Sequence, residues 1–104
     1  MDKWFIEKRW SYKGYDCIVT YTETETMAWR CGYVVIGKTK GINTESIKCH
    51  GGITCAGHHD KLNESVIGFD CAHWGDSTDV CTLDYCISEC ESIVEQILEV
   101  TKNG

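Results

Sequence analysis

One stretch near the C-terminus decides the fold: residues 82–98 read TLDYCISECESIVEQIL. Its apolar residues recur at the i, i+3, i+4, i+7 spacing of an amphipathic helix, and its glutamates lie off that stripe. Thr82 is a favourable N-cap residue, and Asp84 suits the positive end of a helix. We therefore predict a helix that begins at Leu83 and has one apolar face to cover.

Upstream of this helix the sequence has the pattern of β-strands. Residues 3–12 and 15–22 alternate between apolar and polar side chains, and Lys13-Gly14 between them predicts a tight hairpin turn. Further strands are predicted at residues 27–36, 46–50, 53–56 and 66–73, with polar loops at residues 37–41 and 57–64. A single helix after a run of strands must cover a sheet face. The prediction is one α+β domain over residues 1–104, a mainly antiparallel sheet of about five to six strands covered on one face by a single C-terminal helix.

Charge is distributed unevenly along the 104 residues, whose formal net charge is −6. Residues 1–59 carry a net +2 and residues 60–104 a net −8. Because nucleic-acid binders usually carry a basic stripe, this balance argues against nucleic acid and favours a basic protein partner, a cation or a well-solvated surface. The apolar runs are too short for a membrane span, and charges interrupt the first residues where a signal peptide would be apolar. We expect a cytoplasmic protein.

The 8 cysteines allow two interpretations. Strand and helix parity predicts five of them to point inward, namely Cys17, Cys31, Cys71, Cys86 and Cys90. A buried free thiol behaves as a small hydrophobic side chain, which is the structural interpretation. A disulfide framework is the weaker choice for a chain expected in a reducing compartment.

The other interpretation is a metal site, for which zinc is the candidate ion. The sequence has no Cys-x-x-Cys pair. Cys71 and His73 share one face of a predicted strand, and His50 can approach them from a neighbouring strand. His50, Cys71 and His73 are therefore the candidate ligands, since zinc in proteins prefers histidine nitrogen and cysteine sulfur.

Two motifs carry a resemblance to a known family. Residues 50–57 read HGGITCAG and residues 68–76 read GFDCAHWGD. Together with residues 30–34 and the start of the helix, they resemble small phage and prophage proteins that carry H-G-G-[L/I]-T-Y-x-G and G-F-D-C-A-H-x-G-D elements. The resemblance spans about residues 30–98 and implies a phage setting but no particular reaction.

The chain departs from this family pattern at three places. Cys55 stands where the family usually has tyrosine, Val66 stands where an aromatic residue is common, and the loop at residues 37–41 is shorter. These differences put in doubt a role that needs an aromatic ring at Cys55 or a long loop near Lys38.

The motifs themselves contain the candidate binding residues. Gly51 and Gly52 allow a tight turn or a close approach of the backbone. Asp70 needs a partner, which the sequence leaves open as a backbone amide, Arg30 or a ligand. His73 lies close enough in sequence to Asp76 for the carboxylate to fix its tautomer. A purely structural role for these side chains, tying a loop to the sheet, remains equally open at this point.

Catalysis is the weaker hypothesis. The sequence lacks a Gly-x-Ser-x-Gly elbow, a phosphate-binding glycine loop and an H-E-x-x-H helix. Cys71, His73 and Asp76 resemble a thiol nucleophile, base and orienting group, but parity buries Cys71. A hydrolase that uses a metal held by His50, His73 and Asp76 has no ligand signature behind it.

Three functions remain as expectations. The resemblance and the acidic second half suggest a phage accessory protein that inhibits a host defence system, of the anti-CRISPR kind, by stoichiometric binding to a basic surface. The carboxylates of that interface would be Asp79, Asp84, Glu91, Glu95 and Glu99. The alternatives are a metal-binding domain centred on His50, Cys71 and His73, and a protein that sequesters a nucleotide signal in a glycine-rich pocket. The oligomeric state is left open.

Overall fold

The sheet begins with the hairpin that the sequence predicts. The computed structural model describes residues 2–37 and 42–102, and in it β1 (Lys3–Tyr12) pairs antiparallel with β2 (Tyr15–Glu23). The turn holds Lys13 at φ 49° and Gly14 at φ 88°. Glycine tolerates this left-handed backbone without strain, so Gly14 sets the position of the turn.

Three further strands complete the sheet: β3 (Ala28–Val35), β4 (Cys55–His59) and β5 (Glu64–Asp70). The strand order is β1-β2-β3-β5-β4, and every neighbouring pair is antiparallel. One helix, α1 (Leu83–Lys102), packs on β2 and β3. The predicted α+β fold is confirmed, with five strands among the described residues. Within the part of the chain that the structure describes, no helix is both long enough and apolar enough to span a membrane.

The main core lies between α1 and one face of the sheet. Its buried side chains come from three strands, the segment after β3, the loop before the helix and the helix itself. They are Cys17, Val19, Val34, Ile47, Ile67, Phe69, Cys71, Cys81, Cys86, Cys90, Ile93, Val94 and Ile97. Burial of such apolar surface is the dominant stabilising contribution, about 1.5–3 kcal/mol for a large aliphatic side chain. The N-terminus of α1 is capped as predicted, since the Thr82 hydroxyl accepts the Tyr85 N–H at 3.1 Å.

Gly32 explains why Cys31, which is predicted to point into the core, lies on the sheet face away from the helix. A Cβ at Gly32 would lie 2.5 Å from the Phe69 ring and 2.8 Å from the Cys90 sulfur, so only glycine allows this contact between β3 and the helix. Cys31, the neighbouring residue, therefore points to the opposite face, where it packs partly buried beside Tyr33. Parity had grouped Cys31 with the inward cysteines. That grouping was wrong because alternation defines two faces without saying which one the helix covers.

A β-bulge corrects the prediction for β1. The pairing with β2 shifts between Ile6 and Lys8, which leaves Glu7 without a partner in the register. The sequence places Trp4 and Trp10 on one face. In the structure Trp10 packs against the helix-side core and Trp4 lies over Lys61 beside the opposite face. The extra residue of the bulge reverses the parity of the strand.

The predicted strand at residues 46–50 is wrong. A short 3₁₀ turn occupies Thr44–Ser46, and the chain after it runs along α1. There the Gln96 side chain accepts the Lys48 N–H and donates to the Lys48 carbonyl, each at 2.7 Å. Side chains of the helix thus satisfy backbone groups that a neighbouring strand would otherwise pair.

The other element boundaries differ by a few residues. The predicted strand at residues 53–56 begins later, as β4, and β5 begins and ends earlier than the predicted 66–73. The loop predicted at residues 57–64 shrinks to a short turn in which Asn63 has φ 53°. Of the predicted loop at residues 37–41, residues 38–41 lie outside the described part.

Candidate metal centre

Three segments bring histidine and cysteine side chains together at one end of the sheet. His50 lies in the segment that runs along α1, Cys71 directly follows β5, and Cys81 lies just before α1. The Cys71 N–H donates to the Arg30 carbonyl at 2.9 Å, which extends the pairing of β5 with β3 by one residue. One ligand-type atom from each of His50, Cys71 and Cys81 lies within 4.8 Å of the other two. This group could hold a metal ion.

The His50 ring is fixed at both of its nitrogen atoms. Nδ1 lies 2.9 Å from the Tyr85 hydroxyl, and Nε2 lies 2.9 Å from Asp76 Oδ1 and 3.7 Å from the Cys81 sulfur. The His50 N–H also donates to Glu89 at 2.7 Å, which fixes the backbone. Nε2 therefore faces the thiols while Tyr85 orients the ring from behind.

The thiols form a buried cluster at the start of the helix. Cys71 is 2% exposed, and Cys81 and Cys86 are fully buried. The Cys71 and Cys86 sulfur atoms lie 4.0 Å apart, and each of these cysteines is a free thiol. Two of these sulfur atoms, those of Cys71 and Cys81, lie within 4.8 Å of a His50 ring nitrogen.

Burial and mutual hydrogen bonding set the protonation of these thiols. The hydrogen bond to Cys86 and burial both raise the pKa of Cys71, and burial raises the pKa of Cys81. The hydrogen bond from Cys71 lowers the pKa of Cys86, and the nearby Arg30 charge acts in the same direction. The pKa shifts of Cys71 and Cys86 therefore have opposite directions, and a bound cation would displace the thiol protons.

Arg30 anchors the loop that carries Cys81. Its Nη1 donates to the carbonyls of Thr78 and Cys81 at 3.2 and 3.0 Å, and its Nε and Nη2 donate to Glu7 at 2.7 and 3.2 Å. The guanidinium also lies over the Tyr21 ring. The Arg30 side chain, which comes from β3, therefore joins β1 to the loop that carries Cys81.

A second, more exposed group adjoins the first and shares His50 with it. Asp76 Oδ2 accepts the His73 N–H at 3.0 Å and lies 3.1 Å from His73 Nδ1. His50, His73 and Asp76 also satisfy the distances of a potential metal group. Gly51 makes this arrangement possible, because a Cβ there would lie 2.5 Å from the His73 ring and its φ is +68°.

The structure places the predicted metal ligands in two adjoining groups. His50 and Cys71 lie together with Cys81, whereas His73 lies with His50 and Asp76. Cys81 is the member of these groups that sequence reasoning missed. Its only signal was its four-residue separation from Cys86, and loop residues have no parity from which to argue.

The remaining predicted binding residues of the motifs adjoin the second group, and Asp70 Oδ1 lies 3.7 Å from His73 Nδ1. Asp70 finds its partner in the Ala72 N–H, at 3.1 Å, while Arg30 pairs with Glu7 instead. Gly52 has φ +80° and, like Gly51, belongs to the turn after His50.

The predicted acidic surface is partly engaged within the chain. Glu91 accepts the Trp10 indole N–H at 3.1 Å, and Glu95 pairs with Lys13 at 2.8 Å. Asp79, Asp84 and Glu99 are exposed. At least Glu91 and Glu95, among the carboxylates assigned to a partner, are thus already bonded to the chain's own side chains.

Comparison with models of protein families, with curated proteins and with solved structures finds no match to this chain. The side-chain geometry carries the functional argument.

Proposed function

We propose that this chain is a zinc-binding domain whose metal is held by His50 Nε2 and by the sulfur atoms of Cys71 and Cys81. One observation carries the proposal: the separation of the ligand atoms. With Zn–S near 2.3 Å and Zn–N near 2.0–2.1 Å, tetrahedral ligand atoms lie about 3.6–3.8 Å apart. His50 Nε2 and the Cys81 sulfur lie 3.7 Å apart.

The kind of ligand favours zinc over harder cations. Two sulfur atoms and one imidazole nitrogen suit zinc, whereas magnesium and calcium prefer oxygen. Tyr85 supports the same assignment because its hydroxyl can accept the Nδ1 proton of a histidine that binds metal through Nε2.

For the fourth ligand we propose Cys86. Its sulfur lies 4.0 Å from that of Cys71, close to the edge of a zinc–thiolate tetrahedron. Cys86 is not part of the described group whose ligand atoms lie within 4.8 Å of one another, so its side chain must move to bind the same ion. Four protein ligands leave no open position, which is typical of a zinc ion that stabilises a fold. The ion would hold the segment after β3, the end of β5 and the start of α1 together.

Metal analysis tests the proposal directly. Protein purified without chelator and dialysed against trace zinc should retain one zinc per chain by mass spectrometry. The Cys81→Ser variant should lose it. Cys55→Ser is the matched control, because Cys55 is a partly buried thiol packed against the other core cluster. Absence of zinc from the wild-type protein, or equal zinc in wild type and Cys81→Ser, would overturn the proposal.

Cobalt(II) then counts the sulfur ligands. Thiolate-to-cobalt charge-transfer absorption grows with the number of thiolates bound, and ligand-field bands distinguish four-coordinate cobalt from six-coordinate cobalt. We expect tetrahedral bands with three thiolates, and a loss of about one third of the charge-transfer intensity in Cys86→Ser. Unchanged intensity in Cys86→Ser would remove Cys86 from the ligand set and leave the other three.

A second candidate function is the stoichiometric binding of a basic host protein. The observation that favours it is Trp74, which is fully exposed, in the same loop as the 58% exposed Val80 and the acidic Asp79. Exposed tryptophan is a frequent anchor of protein interfaces. Gel filtration with candidate host-defence effectors at rising salt tests this function. Binding that is indifferent to ionic strength and to Trp74→Ala would count against it.

A further inference from the structure

The two groups that share His50 differ in their access to solvent. The side chain of His73 is 42% exposed, that of His50 is 19% exposed and that of Asp76 is 9% exposed. Cys71 and Cys81 are at most 2% exposed. Side chains able to bind a cation therefore form a continuous series from the surface to the buried thiols.

From this series we infer that His73 and Asp76 form a capture site for the metal, from which it passes through His50 to the cysteines. The inference rests on the proposed zinc-binding function. It assigns His73 a role in the rate of loading and leaves the final ligand set unchanged.

The contacts give the order of the transfer. Asp76 connects the two histidines, with Oδ2 at 3.1 Å from His73 Nδ1 and Oδ1 at 2.9 Å from His50 Nε2. The same Nε2 lies 3.7 Å from the Cys81 sulfur. A divalent cation held by His73 and Asp76 can therefore gain His50, and then exchange its surface ligands for sulfur one at a time. As the ion binds Nε2 of His50, the ring proton moves to Nδ1 by exchange with solvent and faces the Tyr85 hydroxyl, and the protons displaced from the thiols leave to solvent.

Local charge supports capture at this place. Two carboxylates lie near His73 Nδ1, with Asp76 Oδ2 at 3.1 Å and Asp70 Oδ1 at 3.7 Å. Residues 62–101 contain no lysine or arginine, and Arg30, which reaches the carbonyls of Thr78 and Cys81, is paired with Glu7. Acidic surroundings raise the local concentration of cations and hence their association rate.

Stopped-flow binding of cobalt(II) to the metal-free protein tests the inference, with thiolate charge-transfer absorption reporting arrival at the cysteines. We expect His73→Ala to slow association about tenfold. Because a shared route serves both directions, release to excess chelator should slow by a similar factor. The dissociation constant and the one-to-one stoichiometry should stay within threefold of wild type.

His58→Ala is the matched control, since His58 is another exposed histidine, 3.6 Å from Asp60. It should leave both rates unchanged. Asp76→Asn is a second variant that keeps an oxygen to accept the His73 N–H, and it should slow loading as His73→Ala does.

Two results would overturn the inference while the zinc site stands: equal loading rates in His73→Ala and wild type, or faster release with unchanged association, which marks a structural role for His73. If the wild-type protein binds no metal, the inference falls together with the proposed function.

Discussion

Arg30 is the residue through which the sheet controls the position of Cys81, and its removal should destabilise the fold more than the loss of a surface charge. The side chain donates four hydrogen bonds, two to Glu7 and two to carbonyls of the loop before α1. Arg30→Met keeps much of the packing volume but leaves the Glu7 carboxylate and the Cys81 carbonyl without this donor.

The magnitude follows from the burial of the pair. Removing one partner of a buried, hydrogen-bonded ion pair costs about 3–5 kcal/mol. Here the side chains of Arg30 and Glu7 are 14% and 22% exposed, so water can solvate part of what is left. We therefore expect Arg30→Met to lower the free energy of unfolding by about 2–3 kcal/mol.

Urea unfolding in the presence of chelator measures this change without a contribution from bound metal. Arg9→Met is the matched control, because Arg9 is paired with two carboxylates, those of Asp16 and Glu64, but its side chain is 39% exposed. It should cost no more than about 1 kcal/mol. Adding Glu7→Leu to Arg30→Met should recover part of the loss by removing the unpaired carboxylate. Equal costs for Arg30→Met and Arg9→Met would refute the reasoning.

Three more predictions concern packing, orientation and protonation. Gly32→Ala should lower the free energy of unfolding by about 1–3 kcal/mol in urea titrations, because its Cβ would meet the Phe69 ring at 2.5 Å; an unchanged midpoint would show that the core can adjust. Tyr85→Phe should weaken zinc affinity about tenfold in chelator competition while keeping one zinc per chain, since the His50 ring loses its Nδ1 partner; unchanged affinity would contradict that role. Burial raises the pKa of Cys17 from 9.0 to about 12, so the unfolded chain loses this proton first and stability should fall as pH rises from 9 to 12. Cys17→Ala should flatten that part of the pH profile of urea unfolding, and an equal slope in both proteins would remove Cys17 as its source.

Local signals made the helix and the first hairpin predictable. Thr82 and the apolar period define the start of α1, and Lys13-Gly14 defines the turn, because caps and tight turns depend on residues close in sequence. The alternation of residues could not predict the bulge at Glu7. The extra residue is held by an ion pair with Arg30, which is distant in the sequence.

The segment at residues 46–50 shows a different limit of prediction from sequence. Residues 46–50 have the apolar alternation of a strand, yet the Lys48 backbone is paired by Gln96 from the helix. A strand needs a neighbour with free backbone groups, and the sequence of the segment does not say whether a strand or a side chain will meet it. His50 is displaced with this segment, so it approaches Cys71 from the side of α1 and not from a neighbouring strand.

The position of His50 also separates the buried cysteines into two groups. Cys17 and Cys90 lie among apolar side chains of the core, where a small hydrophobic residue is all that packing requires. Cys71 and Cys81 are as deeply buried, but a ring nitrogen of His50 lies beside them, with Nε2 3.7 Å from the Cys81 sulfur. A core that needed only volume at this place would gain nothing from a polar ring, whose burial costs free energy unless both nitrogen atoms are bonded. Asp76 and Tyr85 supply those bonds, so two further polar side chains hold a histidine nitrogen beside the thiols. The proposed zinc site requires Nε2 to exchange its Asp76 partner for the ion, whereas a purely structural histidine would keep that hydrogen bond.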